Sequence, residues 1–110
     1  MNFIVEISDG AQAEADAAFL RHTAYDPNFA GRWLEGLTRA IASLDTFPRR
    51  HERVTAEGVG SRETRRLLYR QGRTVYRIIF TLVDTDDDGE DDTVRVLQIR
   101  PAAQTQGEQY

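Results

Sequence analysis

The chain predicts an α+β domain, an antiparallel helical hairpin packed on a mainly antiparallel four-stranded sheet in the order β-α-α-β-β-β. Three observations carry this. A short alternating run, Phe3-Ile4-Val5-Glu6-Ile7, opens the chain; two blocks with helical spacing follow, broken at Tyr25-Asp26-Pro27; after residue 63 the pattern turns to β-prone apolar runs separated by turn residues. At 110 residues the chain holds one domain, expected over 1–103 with a polar tail at 104–110.

The first strand is read over residues 2–7, with Phe3, Val5 and Ile7 on one side and Ile4 and Glu6 on the other. Ser8-Asp9-Gly10 leads into a helix, with Asp9 as its expected N-cap and Gln12 three residues on. Its inner face, Ala11, Ala15, Ala18, Phe19 and His22, is small and admits a close neighbour. Asp26 can cap the second helix, and Pro27 suits its first turn, where a missing N–H costs nothing. Phe29, Trp33, Leu37, Ala40, Ile41 and Leu44 mark one face of that helix, which ends near Asp45 and is closed by Phe47-Pro48. Residues 49–62 read as an arginine-rich loop.

Strands are expected at about 63–70, 74–84 and 93–100. In the middle one, Tyr76, Ile78, Phe80 and Leu82 share a face, and Val75, Arg77, Ile79, Thr81 and Val83 share the other. A strand apolar on both sides belongs in the centre of its sheet.

Composition excludes several classes. There is no cysteine, so disulfides and thiolate zinc sites are ruled out. No apolar run approaches membrane-spanning length, and the start lacks a basic segment followed by a long apolar one; a cytoplasmic location is the default expectation. All 14 basic residues are arginine, so every cation is permanent, planar and able to bind in fork geometry. The net charge of −4 hides two blocks. Residues 84–92 carry seven acids and no base, and residues 49–77 carry nine arginines against three glutamates. A basic centre of this kind suits nucleic acid or an acidic protein segment.

Catalytic and metal signatures are sparse. The run from Asp84 begins like a calcium-binding loop, with acids at 84, 86, 88 and 92 and Gly89 between, but Arg95 stands where a bidentate glutamate is needed. A solvated connection between two strands is the favoured reading. His22 and His51 have no metal-ligand spacing; His22 is expected in the packed helix face and His51 in an exposed loop. Neither Ser8, Ser43 nor Ser61 has a nucleophile's context, no phosphate-binding glycine loop is present, and no cofactor is expected. The arginines of the 65–80 hairpin remain. Alternation puts Arg66 and Arg70 on one strand face and Arg77 on the face of the next strand turned from the core, so they can converge on one surface.

Three segments together resemble the RelE/ParE superfamily of type II toxins, the plasmid-stabilisation proteins. They are Tyr25-Asp26-Pro27-Asn28-Phe29-Ala30-Gly31-Arg32-Trp33-Leu34 running on to Leu44-Asp45-Thr46-Phe47-Pro48-Arg49-Arg50; Arg65-Arg66-Leu67-Leu68 with Val75-Tyr76-Arg77-Ile78-Ile79-Phe80; and Val94-Arg95-Val96-Leu97-Gln98-Ile99-Arg100. The resemblance covers roughly residues 3–103 and implies the same β-α-α-β-β-β fold. It also implies a toxin neutralised by a cognate antitoxin, with either of two activities: ribosome-dependent mRNA cleavage, as in RelE-like members, or inhibition of DNA gyrase, as in ParE-like ones.

For a ribonuclease, the resemblance implies Arg77 on the scissile phosphate, with Arg66, Arg70 or Arg100 beside it and Tyr110 as a further candidate. The ribonuclease pattern then wants further basic residues and a Tyr or His after the last strand, where this chain reads Pro101-Ala102-Ala103-Gln104. A ParE-like toxin is therefore preferred over a RelE-like one, with an inactive antitoxin-binding relative as a further alternative. The surface expected to meet a partner comprises Trp33, Arg65, Arg66, Arg70 and Arg73.

Overall fold

The computed structural model describes residues 2–55 and 63–102. The chain runs β1 (Ile4–Ile7), α1 (Asp9–Tyr25), α2 (Pro27–Ala42), two single-turn 3-10 segments (Ser43–Asp45 and Pro48–Arg50), β2 (Glu52–Arg53), β3 (Thr64–Gln71), β4 (Thr74–Val83) and β5 (Thr93–Pro101). The strands form one sheet in the order β1-β5-β4-β3-β2. All neighbours pair antiparallel except β1, which lies parallel to β5. The helical hairpin covers one face, as the α+β reading requires.

The sheet has five strands where four are expected. The fifth, β2, lies in the segment 49–62 read as loop; it is two residues long and exists by pairing Glu52 with Arg66 and Arg53 with Arg65. Two residues cannot show a period, so this strand has no sequence signal of its own.

Helix α1 starts one residue before the expected cap. Ser8 is the N-cap, its Oγ accepting from the Ala11 amide at 3.1 Å, and Asp9 lies in the first turn, where its charge suits the helix dipole. Ala11, Ala15 and Ala18 are its buried residues. Helix α2 begins as read. Asp26 Oδ1 accepts from the amides of Asn28 and Phe29 at 3.0 and 3.2 Å, and Pro27 occupies the first turn. Its buried stripe is Ala30, Trp33, Leu37 and Ile41, continued by Leu44.

β4 is central, and Tyr76, Ile78, Phe80 and Leu82 all enter the core beneath the helices. The β4–β5 register slips by one residue: Ile79 faces Gln98, Phe80 faces Val96, and Leu97 is extra. The bulge reverses the alternation of β5, so that Val94, Val96 and Ile99 all reach the core while Gln98 does not. Beyond β1, the outer edge of β5 is capped by the start of α1. The Ser8 amide donates to Val96 O at 2.9 Å, and Glu14 Oε1 accepts from the Ile99 amide at 2.9 Å.

Candidate functional site

Register defines the face of the sheet turned away from the helices. Across β3 and β4, Arg66 stands opposite Ile79, Leu68 opposite Arg77 and Arg70 opposite Val75; across β4 and β5, Arg77 stands opposite Arg100. Directly opposed residues project to the same side. Arg66, Arg70, Arg77 and Arg100 are thus brought to one face, around an exposed Leu68 and the half-buried Val75. The bulge at Leu97 puts Arg100 there, because strict alternation from Val96 would turn it to the core side.

The charges on this face differ in how far they are already used. Arg66 Nη2 pairs with Glu52 at 2.5 Å, and Arg100 Nε pairs with Glu14, from α1, at 2.6 Å. Arg95 pairs with Glu6 of β1. Among the described residues no carboxylate lies within 4 Å of the guanidinium of Arg70 or Arg73, and both arginines are exposed. Arg73 sits in the two-residue β3–β4 turn beside Gly72, whose φ of 61° suits glycine.

Arg65 is on the other side of β3, opposite Phe80. Only 13% of its side chain is exposed. Its Nη1 donates to the carbonyls of Arg49 and His51 at 3.0 and 2.6 Å, and its Nε meets Glu63 at 2.6 Å. Burial alone would raise the Glu63 carboxyl, but Arg65, with Arg49 and Arg53, outweighs it and holds that group below the ordinary range. Arg65 therefore ties the 48–51 turn to β3, rather than standing beside Arg66 on the open face.

Trp33 requires a correction. Expected on a partner surface, it is fully buried, packed against the rings of His22 and Tyr76 at centroid distances of 4.9 and 5.0 Å. It lies on the same stripe of α2 as Leu37 and Ile41, which face the sheet, so its position on the helix commits it to the core.

His22 is half-buried and satisfied, its Nε2 2.9 Å from Tyr76 Oη. Burial, helped by the nearby Arg21, lowers its pKa from 6.5. His51, expected in the open, is also half-buried, edge-on to Phe80 at 5.9 Å, and burial with Arg50 and Arg65 lowers its pKa. Tyr69 and Tyr76 point to the core side. Among the described residues, the arginine face therefore holds no histidine and no tyrosine; Tyr110 lies outside them.

The acidic connection gathers oxygens of Asp84, Asp86 and Asp88 within 4.8 Å of one another. Asp86 is pushed up, first by its hydrogen bond with Asp84. Arg95, at the position a calcium loop gives to glutamate, is engaged with Glu6 and supplies no ligand. The same connection reaches the basic segment, since Asp91 pairs with Arg49 at 2.7 Å. A cavity of about 390 Å³ lined by Asn2, Phe3, Arg49 and residues 89–92 adjoins it, and none of the open-face arginines lines it.

Two features had no functional reading in the sequence. Glu14 anchors the Ile99 amide and Arg100 from 85 and 86 residues away, with no local pattern to announce it. Phe47 adopts φ 50° and ψ 53° immediately before Pro48 and is 74% exposed. A residue before proline is ordinarily held in extended backbone, so this conformation is strained.

No protein-family model matches the chain, and no curated protein matches it in sequence. Among solved structures, it is similar to a chain from the "Chromosomal ParDE TA system from P. aeruginosa", with a TM-score of 0.68 over 90% of this chain and 95% of that one. Sequence identity between the two is 15%, so what this chain shares with that structure is its fold.

Proposed function

We propose that the chain is the toxin of a type II toxin–antitoxin pair, ParE-like in kind, neutralised in the cytoplasm by a cognate antitoxin and acting on DNA gyrase rather than cutting RNA. Two findings support the toxin reading: the fold is that of a chain from a ParDE system, and the three segments named above follow the superfamily's order and spacing. The observation that carries the choice of activity is the chemistry of the arginine face. RNA cleavage needs a group to take a proton and a group to return one. Arginine stays protonated and does neither readily. The face offers cations without a histidine or tyrosine among the described residues, and its C-terminal cation, Arg100, is already held by Glu14. Such a surface suits binding better than acid–base chemistry.

The test is paired. One purified sample is added to a gyrase supercoiling assay and to a translating extract in which mRNA ends are mapped. Blocked supercoiling with intact mRNA is expected. Cleavage within codons, with supercoiling untouched, overturns the reading in favour of a ribonuclease centred on Arg77. Inertness in both assays, together with normal growth on expression, marks an antitoxin-binding relative that has lost its activity.

A further inference from the structure

β3 leaves part of its outer edge uncovered. The Val54 amide donates to Thr64 O at 2.9 Å, and Glu52 faces Arg66, so the backbone groups of Thr64 and Arg66 point toward β2. In an antiparallel strand that direction repeats every second residue, so the N–H and C=O of Leu68 and Arg70 point the same way. The opposite ladder agrees: Gln71 and Thr74, which flank the two-residue turn, face each other in the β3–β4 pair. β2 ends its pairing at Glu52, and among the described residues no backbone group bonds to Leu68 or Arg70 from that side. Leu68 is 52% exposed, and its neighbours two residues away on the same face are Arg66 and Arg70.

We infer that this edge is where an extended segment of the partner adds a sixth strand, with an acidic–apolar–acidic pattern at every second residue. The inference deepens the proposed antitoxin contact and rests on that reading for the partner's identity. Main-chain bonds to Leu68 and Arg70 supply the pairing, and side chains opposite Leu68 and Arg70, with an acid at the end of the added strand reaching Arg66 beside Glu52, supply the selectivity. A second copy of this chain is a poor occupant. Antiparallel pairing of two such edges about Leu68 brings Arg70 of each copy up to Arg66 of the other, where it meets a like charge and an edge position that Glu52 already fills. The arginines thus protect the edge from self-pairing and select an acidic strand. Arg70 forms no ion pair among the described residues, so meeting an acid there breaks no existing bond, whereas Arg66 must share Glu52.

The experiment measures backbone amide exchange by NMR on the full chain. The probes are a ten-residue peptide with Glu and Val in turn at every second residue and Ser between them, the same composition with its acids in one block, and a ten-nucleotide oligouridine. The alternating peptide is expected to slow exchange at Leu68 and Arg70 about tenfold or more, while the core amides of β4 keep their rates. Arg70→Glu is expected to weaken binding at least about fivefold at low salt. Leu68→Pro removes an outward N–H that the β4 ladder does not use, and is expected to abolish binding while the fold, read from the Tyr76 and Ile78 shifts, persists. Undiminished binding by a folded Leu68→Pro variant, protection by the blocked peptide or oligouridine in place of the alternating one, or protection that grows with protein concentration alone would each overturn the inference. Absent protection with gyrase still inhibited removes this edge and leaves the toxin reading standing. Protection without gyrase inhibition keeps the edge and removes the gyrase reading.

Discussion

The hydroxyl of Tyr69 occupies the space that a side chain on Gly36 would need. A Cβ built on Gly36 would lie 2.1 Å from Tyr69 Oη, and the same hydroxyl donates to the Trp33 carbonyl at 2.8 Å. The bare backbone of α2 at Gly36 is therefore what lets β3 approach the helix and lets a buried phenol find an acceptor. Gly36→Ala is expected to destabilise the chain by about 1–3 kcal/mol, in spite of alanine's better helix propensity. In a Tyr69→Phe background the added cost should shrink but not vanish, because the ring carbon behind the hydroxyl is still only 2.9 Å from the built Cβ. Urea denaturation of the four proteins of this cycle measures the coupling.

Burial of Trp33 changes what its substitution means. Trp33→Ala should cost about 3–5 kcal/mol through the cavity it opens between His22, Tyr76 and the hairpin. Trp33→Phe should fold and bind a partner normally. A partner that binds the Phe variant less tightly, with stability unchanged by circular dichroism, would return Trp33 to the interface.

Neighbouring arginines should behave unlike one another. Arg65→Ala frees the carbonyls of Arg49 and His51 and leaves Glu63 without its nearest cation, and is expected to cost about 1–3 kcal/mol. Arg70→Ala, exposed and outside any ion pair of the described residues, should change stability by less than about 0.5 kcal/mol. Chemical denaturation midpoints separate the two; equal effects would mean that the ties from Arg65 contribute nothing to the fold.

Acid should weaken the fold in two stages. Both histidines have folded pKa values depressed below 6.5, first by burial, so the unfolded chain binds protons that the folded chain refuses. Their contribution is complete above pH 6.5 and declines as pH falls below it toward the folded pKa values. Glu63, depressed by its arginines against the pull of burial, adds stability above its ordinary 4.5 that is lost at lower pH. Denaturation midpoints measured from pH 7.5 to 5.5 should fall, and His22→Gln, which can keep a hydrogen bond to Tyr76, should flatten the slope. A midpoint constant over this range would contradict the histidine burial.

Much of the framework was readable because its causes are local. Asp26-Pro27 ends one helix and starts the next through the geometry of a cap and a ring. The two faces of β4 follow from alternation alone, and Tyr76, Ile78, Phe80 and Leu82 are buried as that pattern requires. Even the close approach at Gly36 had a trace, a glycine inside an apolar helical pattern. The bulge at Leu97 had none, since an extra residue in one strand has meaning only against its partner.

Residue order determined the α+β class, the helical hairpin, the central strand and the gathering of arginines near one turn. Tertiary structure alone decided what each arginine does. Arg65 and Arg66 are adjacent and chemically identical, yet one turns inward to tie a loop and the other outward to an open face. Arg100 is held by a glutamate from the first helix, while Arg70 meets no carboxylate among the described residues. Periodicity is a property of neighbours along the chain. The state of a charge depends on which distant carboxylate or carbonyl arrives beside it, and that is settled when the strands take their register.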